Sequence, residues 1–147
     1  MNSNTNTKSN FGKWGWSMII YCAISYYLAA ALSTDALNWF PAAFQAYHGW
    51  GEEFVNTCNA MAGIGGWIGV GAAIVFSMMT AKKGSRFMAL FGNIVTGILC
   101  LIMAFTGSQP VFYLMIICLT FVGGNIQLNV VPNNIMNVWF PKKKGLA

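Results

Sequence analysis

The chain has 147 residues, of which 56% are hydrophobic and only 7% are charged. An average soluble domain has about 25% charged residues, and one with only 7% could not cover its surface with polar groups. The composition therefore predicts an integral membrane protein. The net charge is +5, but the positive residues stand at the edges of apolar runs, which favours membrane orientation over nucleic-acid binding. Residues 1–15 show no signal-peptide cleavage pattern, and we expect them to form a polar cytoplasmic tail.

Four apolar runs follow this tail. Each is long enough to cross a bilayer core of about 30 Å as a helix. The runs are continuous rather than alternating, which argues against transmembrane strands. The sequence therefore predicts an all-α integral membrane fold with four transmembrane helices, at about residues 16–43, 53–80, 85–106 and 110–140.

Positive charge falls on alternate junctions of these runs. Two lysines precede the first run, three Lys or Arg residues lie between the second and third, and three lysines follow the fourth. The other two junctions carry two glutamates and no charge, respectively. Because positive segments stay in the cytoplasm, we expect a multi-pass protein of the plasma (inner) membrane, surrounded by the lipid bilayer, with both ends of this chain cytoplasmic.

Polar side chains in the first run share one stripe. Tyr27, Thr34 and Asn38 recur at helical spacing, and Asp35, the only acidic residue inside an apolar run, lies at the margin of the stripe. A carboxylate is costly in lipid, so Asp35 should face protein or water. Two interpretations of it stay open: a helix-end polar residue in an outer vestibule, and a substrate or proton site.

The fourth run is rich in amides. Asn125, Asn129 and Asn133 are spaced by four and should lie on one helix face, and Pro132 should kink the helix. Lipid disfavours so many amides, so this face borders either a water-filled cavity or an interhelical hydrogen-bond network. The candidate residues for a substrate cavity are Tyr27, Thr34, Asp35, Asn38, Asn125, Asn129 and Asn133.

The second run carries glycines in its middle, and Gly63, Gly66 and Gly69 are predicted to let neighbouring helices approach closely. No enzyme motif occurs at membrane depth. The four cysteines lie inside apolar runs without a C-x-x-C pair, and the single histidine has no acidic or cysteine partner at ligand spacing. We therefore predict a protein that is not an enzyme and that holds no metal and no cofactor.

Three stretches together resemble the first four helices of a major facilitator superfamily transporter. The first run ends in ALNWFPAAFQAYHGWGEEF, with a proline at the outer end of helix one, as family members commonly show. The ending NVWFPKKKGLA is similar to the W-F-P-x-x-R-G-x-A link between helices four and five. That link is most familiar from the oxalate/formate antiporter-like and monocarboxylate-like branches.

The third stretch is the loop SMMTAKKGSRFMALFG, at the position of the family's G-x-x-x-D-R-x-G-R-R signature. Ser77 and Ala81 stand where the family has Gly and Asp, which puts the cytoplasmic latch of the family in doubt. The residues assigned to this loop motif are Lys82, Lys83, Gly84 and Arg86.

The resemblance implies that residues 16–147 are a partial N-terminal half of a twelve-helix fold, with GLA beginning a fifth helix. It implies transport of a small organic solute by alternating access, with organic anions among the candidates. The missing C-terminal helices of the same transporter would be its partners. Two alternatives stay open. One is a complete four-helix multidrug efflux protein acting as a dimer, and the other is a four-pass membrane scaffold without transport.

Overall fold

A computed structural model describes residues 12–140 of the protein, and in this range every regular element is helical. Four stretches are long and apolar enough to cross a membrane: Lys13–Asn38, Glu53–Lys83, Ser85–Phe105 and Gln109–Trp139. An all-helical chain with four candidate membrane spans is therefore confirmed. The elements in chain order are α1 (Lys13–Ser33), a 3₁₀ turn (Asp35–Asn38), α2 (Phe40–His48), α3 (Glu53–Lys83), α4 (Ser85–Phe105), α5 (Gln109–Val122), a π-helical segment (Gly123–Val130) and α6 (Val131–Trp139).

Two predictions fall partly outside the described range. The polar tail at residues 1–15 is described only from residue 12, and the fifth-helix start at 145–147 is not among the described residues. The predicted second and third helices agree with α3 and α4 to within a few residues.

The predicted first helix, 16–43, is not one continuous α-helix, although Lys13–Asn38 forms one candidate membrane span. The α-helix ends at Ser33, where the hydroxyls of Ser33 and Thr34 donate to the carbonyls of Ala29 and Ala30. After the 3₁₀ turn the chain begins α2, and Pro41 lies in the first turn of α2, where its missing N–H costs nothing.

Gly84 alone connects α3 to α4. Its φ of 87° and ψ of 153° belong to a backbone region that essentially only glycine adopts. The chain can therefore reverse direction within one residue, and the cations at the end of α3 and the start of α4 are held close together.

The fourth span widens before its proline. Over Gly123–Val130 the helix follows the π pattern, and the N–H of Val131 donates to the carbonyl of Ile126, five residues earlier. Pro132 follows at once, in the first turn of α6, and has no N–H to continue an α-helical ladder. The sequence predicts a kink at Pro132. The structure shows eight residues of π-helix just ahead of this proline.

This fourth span is the centre of the bundle. Half of the residues in its most apolar window are buried, compared with 17% in each of the first two spans. α5 packs against α3 and α4, and the π segment packs against α1, α3 and α4. One buried cluster is built around Met88, Ile126 and Val131, and a second around Phe54 and Phe112.

The described charges separate to opposite ends of the bundle. The basic end is where α1 begins, α3 meets α4 and α6 ends, and it carries the described cations Lys13, Lys82, Lys83 and Arg86. The acidic end contains the 3₁₀ turn and the start of α3, and it carries the described acids Asp35, Glu52 and Glu53.

Candidate functional site

An open groove of about 500 Å³ lies between the end of α1, α3 and the fourth span. Its lining on α3 runs from Ala62 to Val70, the middle third of that helix, and its lining on the fourth span runs from Thr120 to Leu128. Most of the wall is apolar. We call this cavity the central groove. The side chains that bring polar atoms or an aromatic ring to it are Ser33, Thr34, Trp67, Thr120 and Asn125.

The glycines of α3 lie on two different faces of the helix, one packed against the fourth span and one bordering the central groove. A Cβ on Gly69 would collide with the amide of Asn125, and one on Gly65 would lie 3.0 Å from the Cα of Ile117. Gly69 therefore stands in close contact with the fourth span, and so does Gly65. At Gly63 and Gly66 a Cβ would meet nothing within 4 Å. Both of these glycines line the central groove, where the missing side chains leave space.

Asn125 both packs against Gly69 of α3 and lines the central groove. It is 6% exposed, and its Nδ2 donates to the carbonyls of Phe121 at 3.1 Å and Thr120 at 3.4 Å. No hydrogen bond within the described residues involves its Oδ1. The amide therefore turns its donor hydrogens toward its own helix and keeps an acceptor oxygen free.

The three hydroxyls on the groove behave alike. Ser33 Oγ donates to the Ala29 carbonyl at 2.6 Å, and Thr34 Oγ1 donates to the Ala30 carbonyl. Thr120 Oγ1 lies 3.0 Å from the Ile116 carbonyl and 3.1 Å from that of Ile117. A hydroxyl has a single hydrogen, so each of these side chains retains only lone pairs for further hydrogen bonds.

The structure brings two of the seven candidate cavity residues, Thr34 and Asn125, to the central groove. The end of α1 at Ser33 interrupts the stripe of the first run, and the π segment breaks the four-residue spacing of the fourth, because a π turn needs more than four residues. The five candidates that lie outside the groove, all exposed, are Tyr27, Asp35, Asn38, Asn129 and Asn133.

Sequence reasoning missed Trp67 as a groove residue and gave Gln127 no role of its own. Trp67 stands among the glycines of α3 and is 81% exposed, and an aromatic ring inside the stretch GIGGWIG is a signal that could have identified it. Gln127 is buried over Gly92, and its Nε2 donates to the Ala89 carbonyl at 3.1 Å. Its Oε1 and the Thr96 hydroxyl are buried without a hydrogen-bond partner among residues 12–140. Gln127 thus ties the fourth span to α4 rather than lining the groove.

A second cavity of about 530 Å³ lies at the basic end, and we call it the basic pocket. Lys83, Gly84 and Arg86 of the predicted loop motif line it, whereas Lys82 does not. The Nζ of Lys83 stands 4.7 Å from the centre of the Phe87 ring. The remaining wall comes from α1, α4 and α6, and Lys83 is the last residue of α3, so all four spans meet here.

Within the described range no group of three His, Cys, Asp or Glu side chains is placed to hold a metal ion. No family model, curated protein or solved structure matches the chain. Its function is therefore inferred from its own residues and their geometry.

Proposed function

We propose that the four spans form part of a transporter that moves a small organic solute across the membrane by alternating access. The central groove is part of the solute pathway. The groove itself is the observation that carries the proposal: polar atoms of the first and fourth spans meet in a cavity of about 500 Å³ beside the middle of α3. A cavity of this size suits a small organic molecule, and secondary transporters bind solute near the membrane midplane between moving bundles.

The side of the fourth span that carries exposed amides supports a larger assembly. Asn129, Asn133 and Asn137 lie exposed on this span, and the Asn129 side chain donates to the Gly124 carbonyl at 2.9 Å. Amides exposed at membrane depth need protein or water as neighbours. We propose that further helices of a major facilitator superfamily transporter cover this side and complete the cavity, as the three sequence stretches suggest.

The charge distribution gives the proposed orientation. The described cations lie at the basic end and the described acids at the other. By the positive-inside rule the basic end faces the cytoplasm of a plasma (inner) membrane. The chain then works as a multi-pass protein without covalent chemistry of its own.

Dimeric efflux, the first alternative, places its carboxylate near the middle of the first helix. Asp35 instead lies near the end of the span Lys13–Asn38, exposed in the 3₁₀ turn after α1 and toward the acidic end. No feature of the described residues favours the scaffold alternative over a solute pathway, because a scaffold needs no polar groove inside its bundle.

The protein isolated from its native membrane tests the proposal. An antibody against residues 1–15 would capture it, and the captured material would be reconstituted in vesicles with labelled amines, carboxylates and sugars. We expect saturable flux of one solute class and a captured mass about three times the 16.0 kDa of this chain. Flux that rises linearly with solute concentration for every class would refute transport.

A further inference from the structure

We infer that the central groove selects small organic amines, bound as hydrogen-bond-donating ammonium ions, over carboxylates. The inference rests on the proposed function, and it replaces the organic-anion expectation raised by the family resemblance. Its basis is the direction of every hydrogen bond made by the polar side chains of the groove.

The donor hydrogens of these side chains are already used in hydrogen bonds. The hydroxyl hydrogens of Ser33, Thr34 and Thr120 point to backbone carbonyls of their own helices, and so do the amide hydrogens of Asn125. Lone pairs remain: those of the three hydroxyl oxygens and of Asn125 Oδ1. A ligand that donates hydrogen bonds finds several acceptors here. A carboxylate has no hydrogen to donate, so its lone pairs would repel those of the groove oxygens.

No described cation is close enough to compensate a bound anion. The nearest cation along α3 is Lys82, twelve residues beyond Val70 at the edge of the groove, which is about 18 Å at the α-helical rise. The remaining described cations share its end of the bundle. An anion in the groove would therefore lose its hydration without gaining a counter-charge or a set of hydrogen-bond donors. An ammonium ion finds no counter-charge in the groove either, but it gains the lone pairs of the hydroxyl and amide oxygens.

The ring of Trp67 also favours an ammonium ion as the ligand. Its ring is 81% exposed and lines the groove, so its face is available to an ammonium ion. Its indole N–H is the one side-chain donor of the described groove lining that makes no hydrogen bond there. A single neutral N–H cannot balance a carboxylate. The apolar wall accommodates the hydrocarbon part of an amine.

The test measures binding of two matched probes, benzylammonium and benzoate, to the whole chain in lipid nanodiscs by equilibrium dialysis. We expect benzylammonium to bind at least about tenfold more tightly, the effect of one hydrogen bond to a charged group. Thr34→Val removes a groove acceptor and should weaken amine binding about fivefold. Thr57→Val is its control, because the Thr57 hydroxyl makes the same kind of bond, to the Glu53 carbonyl, outside the groove.

Trp67→Leu should weaken benzylammonium binding about threefold through loss of the ring face. Trp39→Leu, at an equally exposed tryptophan that does not line the groove, should leave it unchanged. Benzoate binding as tight as benzylammonium binding, or absence of binding by both, overturns the amine preference. The proposed function fails on a different result, the absence of saturable flux for every solute class.

A separate observation carries a second inference, which does not depend on transport. We propose that the basic pocket binds the headgroup of an anionic phospholipid. Lys83 and Arg86 line it and form no ion pair with described residues, because the described acids lie at the opposite end. Ser85 and the ring of Tyr21 also line it. A phosphodiester would find two cations and a hydroxyl there.

The pocket also offers a site for an acyl chain. Met18, Leu90, Ile135 and Val138 form its apolar wall, and Trp139 lines it as well. Aromatic rings of this kind settle at the headgroup level of a bilayer. Cationic and apolar surfaces in one cavity match a lipid with a negative headgroup better than they match a free anion.

Native mass spectrometry of the purified chain with phosphatidylglycerol or phosphatidylcholine tests this site. We expect phosphatidylglycerol to bind preferentially, and Lys83→Gln or Arg86→Gln to weaken it about fivefold each. Lys82→Gln is the matched control, since Lys82 carries the same charge next to the pocket without lining it. If Lys82→Gln weakened phosphatidylglycerol binding by the same factor, the lipid would be held by general attraction to the positive surface and not by the pocket. Displacement of the lipid by equimolar glycerol phosphate would make this a free-anion site. Either result overturns the proposal.

Discussion

Replacing Gly65 by alanine should force α3 away from α5. A Cβ at this position would lie 3.0 Å from the Cα of Ile117, and closer still to the Ile117 carbonyl and to Thr120 Oγ1. Ordinary contacts begin at 3.4 Å. A backbone neighbour cannot rotate aside, so the helices themselves must shift, and overpacking of this kind costs about 1–3 kcal/mol.

Gly63 supplies the matched control two residues away on the same helix. A Cβ there meets nothing within 4 Å, so Gly63→Ala should gain about 0.5–1 kcal/mol from the better helix propensity of alanine. The same propensity gain applies to Gly65→Ala, so the free energies of unfolding of the two variants should differ by the overpacking cost alone, about 1–3 kcal/mol. Gly69→Ala should fall between them, because its obstacle is the Asn125 side chain, which can move.

Unfolding by SDS in mixed micelles, followed by circular dichroism, measures these free energies. The control for folding is the native helical signal of each variant before SDS is added. Equal stability of Gly65→Ala and Gly63→Ala, within about 0.5 kcal/mol, would refute the close approach of α3 and α5.

Three further predictions concern other parts of the bundle. Thr96→Val should raise the free energy of unfolding by about 1 kcal/mol in the same SDS titration, because it removes a buried hydroxyl without a described partner; a loss of stability would show that something binds there. Asp35→Asn should leave saturable flux unchanged, since this carboxylate lies outside the groove; lost flux would favour the efflux alternative. Combined replacement of Asn129 and Asn133 by leucine should preserve the helical signal and lower flux about tenfold, because these exposed amides are proposed to meet the further helices that complete the cavity; undiminished flux would show that they do not border the solute pathway.

The sequence predicts the two spans whose ends are marked by strong local signals. α3 begins among glutamates and ends with lysines before Gly84, and α4 begins directly after that glycine. The end of α1 is harder to foresee. It falls at Ser33, inside an apolar run, and hydropathy does not reveal it.

The candidate site shows the same limit. Thr34 and Asn125 reach the central groove as part of the predicted cavity set, whereas Asn129 and Asn133 do not. The prediction assumed 3.6 residues per turn through the fourth span. Over Gly123–Val130 that assumption fails, because the packing of Asn125 on Gly69 and of Gln127 on Gly92 is set by helices distant in sequence.

Water access to the central groove is the most direct test of the solute pathway. Gly66→Cys would place a thiol in the groove, and Gly71→Cys would place one on the same helix outside it; neither new Cβ meets an atom within 4 Å. Both variants would be treated in membranes with a charged, membrane-impermeant thiol reagent, beside the parent chain, which has four cysteines of its own. Thiolates react and need water to form, so we expect Gly66→Cys to be labelled at least about tenfold faster than Gly71→Cys. Equally slow labelling of both would mean that lipid or another helix fills the groove, and it would contradict a solute pathway there.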